Sequence, residues 1–242
     1  MNVDLSVDVA EAITKLKSHL EGDDFILKRG HDFNYFNNVM KGIDRDVTEH
    51  FAPNFNTLLP AQSFWIMLID KAGHPVSTVA SRMEPFAYGQ TVSDYLKAYL
   101  PRVYFTEHGA PVELLDRQAS FCEEATGKVV YLGEAWANEE HRRGGLTGNM
   151  VKLIQLISLY MFHPDYLYCW IRPKHAQTGF PQACGYKEIF PRAIRWRTKP
   201  ALPGGDPDKD LRDLWLAGNR SGGLRDLADD VLAEHGASGY AE

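Results

Sequence analysis

A strand-like run, an arginine- and glycine-rich turn and a long apolar helix, in that order, constrain this chain more than any other feature. Val129-Val130-Tyr131-Leu132-Gly133-Glu134-Ala135-Trp136-Ala137 has the branched and aromatic content of a strand. The turn is Glu139-Glu140-His141-Arg142-Arg143-Gly144-Gly145-Leu146-Thr147-Gly148. From Leu146 to Phe162, Leu146, Met150, Leu153, Ile154, Ile157 and Met161 follow helical spacing. Val151, Leu156, Leu159 and Tyr160 make the other side apolar too, so the helix should be buried on more than one face. Glycine lets backbone amides approach an anion, a helix start leaves N–H groups unpaired at the positive end of its dipole, and arginines add full charge. The residues therefore suit a phosphate, with a merely solvated turn as the alternative.

Around this unit the pattern is mixed. Residues 6–20 read as a helix capped by Ser6, striped by Val9, Ile13, Leu16 and Leu20, and ended by Gly22. Phe33, Phe36, Met40 and Ile43 fit helical spacing, against Asn34, Asn37, Asn38 and Gly42. Residues 53–60 read as a loop and 64–83 as a hairpin turning at 70–75. Residues 91–100 suggest a short helix with Tyr95, Leu96 and Tyr99 inward, and 102–127 show no clear pattern. Strand 166–171, a short helix over 175–184 and one or two strands within 186–197 follow. A Pro/Gly linker over 200–207 then leads to expected helices at 208–217 and 223–234, split by the glycines of 218–223.

The net charge of −6 and isoelectric point near 5.8 lack the basic footprint of a nucleic-acid binder. Three cysteines without a close pair suggest neither a disulfide framework nor a zinc site, so no metal is expected. The first residues carry no basic or apolar signal segment, and the stretch from Leu153 to Phe162 is too short for a membrane span. A cytoplasmic location without membrane partners is the expectation.

The order hairpin, strand, Arg/Gly turn, long helix, strand, short helix resembles the GNAT-type N-acetyltransferase superfamily. That family's cofactor signature is Gln or Arg, two residues, Gly, one residue, then Gly or Ala. Arg142-Arg143-Gly144-Gly145-Leu146-Thr147 matches it except for Thr147, with Gly148 one residue later. Cys184-Gly185-Tyr186 resembles the Gly-Phe end of the family's last helix. The resemblance covers roughly residues 64–197. It implies an α/β (α+β) fold with a mixed, mostly antiparallel central sheet flanked by helices. Here that core would span 63–199, with an N-terminal helical segment over 1–62, in the same domain, and a linker and helical tail over 200–242.

The resemblance also implies acetyl-CoA as cosubstrate. Arg142, Arg143, Gly144, Gly145, Leu146, Thr147 and Gly148 would hold its pyrophosphate, and Ala135, Trp136 and Ala137 its pantetheine arm, in a gap between two splayed strands. Amine acetylation needs a base, an oxyanion donor and at times an acid for the thiolate. Glu134 is the first choice for the base, and regular alternation would place it on one face with Val130, Leu132 and Trp136. Pro181 stands where the family often has a Tyr acid, which leaves Tyr168, His175 and Tyr186 as substitutes. The expected function is acetyl transfer from acetyl-CoA to a primary amine of a small molecule. The alternatives are a silent acyl-CoA-sensing domain or an enzyme using longer acyl donors. The acceptor would touch segments 23–62, 84–127 and the tail. The tail 206–235 is available to a partner subunit, a homodimer among the options.

Overall fold

The computed structural model describes residues 3–84, 86–142, 145–202 and 210–236. Their elements run α1 (Val3–Glu21), β1 (Phe25–Gly30), α2 (Phe33–Lys41), β2 (Ser63–Asp70), β3 (Pro75–Met83), α3 (Val92–Val103), β4 (Glu113–Leu114), α4 (Ser120–Glu124) and β5 (Val129–Ala137). They continue with α5 (Leu146–Phe162), β6 (Tyr166–Ile171), α6 (Pro173–Ala176), α7 (Phe180–Ala183), β7 (Glu188–Phe190), β8 (Trp196–Thr198), β9 (Trp215–Arg220) and α8 (Ser221–Gly236).

A seven-stranded sheet in the order β1-β2-β3-β5-β6-β9-β7 forms the centre. Its neighbours pair antiparallel except β5 and β6, which are parallel and joined through α5. Helices cover both faces, which is why β2 reads as an unbroken apolar run. Its Phe64, Ile66 and Leu68 join the core under α1, α5 and α8, while Trp65, Met67 and Ile69 join the core under α2, α3 and α4. α5 is buried on two sides as its sequence predicts, because α1 and α8 pack over it. Its polar residues are also used: Gln155 donates to the Cys184 carbonyl at 2.7 Å and Ser158 bonds Ser81 at 2.7 Å.

Four sequence expectations are corrected. Ser6 lies inside α1, which starts at Val3. The single helix expected over 175–184 is two short ones, separated at Gly179, whose φ is +77°. The closing strands within 186–197 enter different sheets, β7 the main one and β8 a two-stranded sheet with β4. The helix expected over 208–217 is replaced at Trp215 by β9, inserted between β6 and β7. Leu211, Leu214 and Trp215 mimic helical spacing, but the neighbours require a strand. A Cβ on Gly218 would lie 3.0 Å from the Leu167 carbonyl, and Asn219 donates to Gln155 at 2.8 Å and to the Gly185 carbonyl at 3.0 Å.

Candidate active site

β5 and β6 part company halfway along. Their ladder runs from Val129 opposite Tyr166 to Leu132 opposite Cys169, yet β5 continues to Ala137 and β6 to Ile171. Each keeps its outer partner, β5 bonding β3 as far as Ala137 opposite Ser77 and β6 bonding β9 as far as Ile171 opposite Trp215. The result is a wedge whose two inner edges carry backbone groups not paired to each other.

A bulge marks the throat of this wedge. Thr78 faces Trp136 and Ala80 faces Gly133, so two residues of β5, Glu134 and Ala135, oppose one of β3. Glu134 takes the left-handed conformation, φ +56°, which costs a non-glycine residue roughly 1–3 kcal/mol. Thr78 Oγ1 donates to the Glu134 carbonyl at 2.9 Å. The Glu134 carboxylate accepts from the Thr48 amide at 2.9 Å and its hydroxyl at 2.5 Å. The bulge overturns the expected alternation: Val130 and Leu132 face α5, whereas Glu134 turns toward the α2–β2 loop on the Tyr131 side.

That loop supplies the remaining groups. The Arg45 guanidinium stands 5.8 Å from the centroid of the Trp136 ring. Burial lowers its pKa while Glu134 opposes the shift, and Arg142 and Arg172 add to the lowering. Burial raises the Glu134 pKa, against the Thr48 hydrogen bonds and Arg45. Burial also pushes the Glu49 carboxyl up to about 7, with Glu134 adding to the rise and its own backbone amide and Arg82 opposing. His50 is buried and its pKa falls well below the ordinary value through desolvation and Arg82. One buried carboxylate, Glu134, and one partly exposed, Glu49, thus interact here with each other and with arginines of the loop and the neighbouring strands.

Arg82 of β3 anchors the loop from below. It donates to the His50 carbonyl at 2.5 Å, Asn56 Oδ1 at 2.7 Å, Glu84 at 2.7 Å and Tyr95 Oη at 2.5 Å. Asn56, Arg82, Tyr95 and Tyr99 also line a cavity of about 370 Å³ under the 55–63 loop. Tyr168, offered by the sequence as an acid, is fully buried in this second network, where its hydroxyl donates to Glu84 at 3.4 Å. Tyr186 is buried too, and burial raises both phenols well above their ordinary range. His175 sits exposed on α6, its ring 6.0 Å from Phe180.

The turn after β5 begins with Asn138, whose side chain accepts from the Glu140 amide at 3.3 Å. Arg142 donates Nε to the Ala137 carbonyl at 3.1 Å and pairs with Glu139 at 3.2 Å, leaving its guanidinium more than half exposed. Arg143 and Gly144 lie outside the described residues. Gly145 is left-handed at φ +75° and opens α5, with Leu146 and Thr147 half-buried. Gly148 serves packing: a Cβ there would stand 2.9 Å from the Ala183 carbonyl. A cavity of about 280 Å³ opens beside the turn, between Phe25, His141, Leu146 and Asn149.

The sequence pointed to Glu134, Ala135, Trp136, Ala137 and Arg142, and the structure brings these to one end of β5. It did not point to Arg45, Thr48, Glu49, Arg82 or Arg172, whose spacing carries no local signal. Among the described residues no group of three or more His, Cys, Asp or Glu is placed to hold a metal, and no helix is long and apolar enough to cross a membrane.

No family model and no curated protein matches this sequence. Solved structures do. NAA60 of Arabidopsis thaliana in complex with acetyl-CoA aligns at 10% identity and TM-score 0.46, over 81% of this chain and 98% of that one. The aminoglycoside acetyltransferase AAC(6')-Ib in complex with coenzyme A and kanamycin aligns at 12% and 0.44, over 84% and 98%. A spermidine N-acetyltransferase from Vibrio cholerae aligns at 7% and 0.44, over 82% and 96%. Likenesses this distant say nothing about activity.

Proposed function

We propose that this chain is a GNAT-type N-acetyltransferase, moving the acetyl group of acetyl-CoA to a primary amine of a small molecule by direct attack on the thioester. The observation that carries this reading is the wedge between β5 and β6 with a strained, buried glutamate at its throat. A protein keeps a residue in a costly conformation where the surroundings over-determine it, and such places cluster at functional sites.

In this reading the inner edge of β5 at Ala135, Trp136 and Ala137, beyond its ladder with β6, binds the amide-bearing pantetheine arm. Arg142, Arg143, Gly144 and the amides at the start of α5, from Gly145 through Leu146 and Thr147 to Gly148, hold the pyrophosphate. Two observations support this: Arg142 donates to the Ala137 carbonyl at the end of β5, and the left-handed Gly145 opens the N-terminus of α5. Glu134 and its neighbours face the acceptor from the α2–β2 side. The reaction converts an ammonium and a thioester into an amide, a thiol and one released proton. Backbone N–H groups along the parted edge of β5 stabilise the oxyanion. Tyr168, which donates to Glu84, belongs to the framework in this reading, and the thiolate leaves without a dedicated acid.

The test is calorimetric. Acetyl-CoA binds the wild-type chain, and Arg142→Ala combined with Arg143→Ala weakens that binding at least about tenfold, or about 1.4 kcal/mol. Unchanged affinity in the double variant removes the proposal.

A further inference from the structure

We propose that Glu49, on the loop between α2 and β2, takes the proton from the acceptor amine, while Glu134 is the fixed carboxylate that orients the ammonium beside it. This rests on the acyl-transfer reading and assigns a second acidic residue to that site.

The two carboxylates differ in how they are held. Glu134 is 6% exposed, and its Oε1 already accepts both the amide and the hydroxyl of Thr48. A carboxylate so committed positions well but exchanges protons slowly with solvent. Glu49 follows Thr48 directly, its side chain is 22% exposed, and its carboxylate stands 3.6 Å from His50 Nε2. Exposure of that degree gives the proton a path out.

Glu49 is nevertheless not a loose surface residue. Its carbonyl accepts from Asn56 Nδ2 at 2.5 Å and from the Tyr99 hydroxyl at 3.2 Å, and Asn56 is held in turn by Arg82 at 2.7 Å. Loop, β3 and α3 therefore converge to fix one backbone position. Arg82 and Asn56 act as positioning residues for it.

The charged and titratable groups around Glu49 are Glu134 and Tyr131 from β5, Arg82 from β3, Tyr99 from α3, and His50 from its own loop. His50 and Tyr99 stay neutral there, because burial depresses the first and raises the second to about 12. Burial and the Glu134 charge bring the Glu49 carboxyl to about 7, the range in which a general base is both ionised and basic enough to work.

Protons and electrons balance. The ammonium gives one proton to the Glu49 carboxylate. The freed nitrogen lone pair forms the bond to the thioester carbonyl carbon, the carbon–sulfur bond breaks, and sulfur leaves with its electron pair. The second nitrogen proton ends on the thiolate, and Glu49 returns its proton to solvent.

Thiol release is measured from acetyl-CoA with a pool of polyamines, aminoglycosides and amino acids, from about pH 5.5 to about pH 9. The wild-type rate rises with an apparent pKa near that of Glu49. Glu49→Gln abolishes the rising limb and slows release about a hundredfold or more. Glu49→Asp restores a titrating limb, and Glu134→Gln keeps the limb while raising KM. A limb retained in Glu49→Gln, or lost only in Glu134→Gln, overturns the assignment. If acetyl-CoA binds and no amine in the pool turns over, carbon-13 NMR titration of the glutamate carboxyls in the acetyl-CoA complex decides. A Glu49 signal moving near neutral pH supports the assignment, and one moving in the ordinary carboxylate range overturns it. Absence of acetyl-CoA binding defeats the acyl-transfer reading itself, and this assignment with it.

Discussion

Replacing Glu49 with Gln should make the folded protein more stable in mild alkali and leave its stability unchanged in acid. Burial and the neighbouring Glu134 carry the Glu49 carboxyl from 4.5 to about 7, against its own amide and Arg82. Between those values the folded chain keeps a proton that the unfolded chain has released. Stability therefore falls as pH rises through that window and levels off above the folded value. At about 1.4 kcal/mol per pH unit the loss is about 3 kcal/mol, a large share of a typical domain's stability. Glutamine resembles the protonated acid and does not suffer this loss. Urea unfolding of both proteins at about pH 4.5 and about pH 8 gives the difference by linear extrapolation. The variant should match the wild type at the lower pH and exceed it by about 3 kcal/mol at the higher. A difference that is the same at both pH values, to within about 0.5 kcal/mol, would refute the idea that this carboxyl is held protonated by its surroundings. A gain in stability coupled to lost turnover is what a strained catalytic position produces.

Arg82→Met strands the buried Glu84 and should cost about 3–5 kcal/mol, with part recovered by adding Glu84→Gln; a cost under about 1 kcal/mol in the single variant contradicts the anchoring role of Arg82. Gly148→Ala drives a methyl to 2.9 Å from the Ala183 carbonyl and should cost about 1–3 kcal/mol in thermal unfolding, an effect that disappears if α5 and α7 shift apart freely. The arginine double variant and the Glu49 and Glu134 series complete the set, read by calorimetry and by pH–rate profiles.

Much of the framework was legible because it rests on local pattern. The hairpin 64–83, the stripe of α1, the double-sided burial of α5 and the inward Tyr95, Leu96 and Tyr99 of α3 all follow from periodicity within one element. The structure makes Asp32 the cap of α2, accepting from the amides of Asn34 at 2.9 Å and Tyr35 at 3.0 Å. β9 runs against its local pattern, because residues 208–217 carry helical spacing in isolation. Its strand conformation is imposed by β6 on one side and β7 on the other.

The sequence by itself determined that a strand, a glycine- and arginine-rich turn and a buried helix follow one another, since each is set by side-chain spacing and backbone freedom over a few residues. It also singled out Glu134 as a carboxylate in an apolar strand. Only the tertiary structure decided what that carboxylate faces. A one-residue bulge turned it off the Val130 and Leu132 face, and Thr48, 86 positions earlier in the chain, closed two hydrogen bonds on it. The parting of β5 from β6 likewise depends on β3 and β9 holding the outer edges. Contacts of that range leave no periodic trace, because the residues that make them are chosen for where the fold brings them and not for their neighbours in the chain.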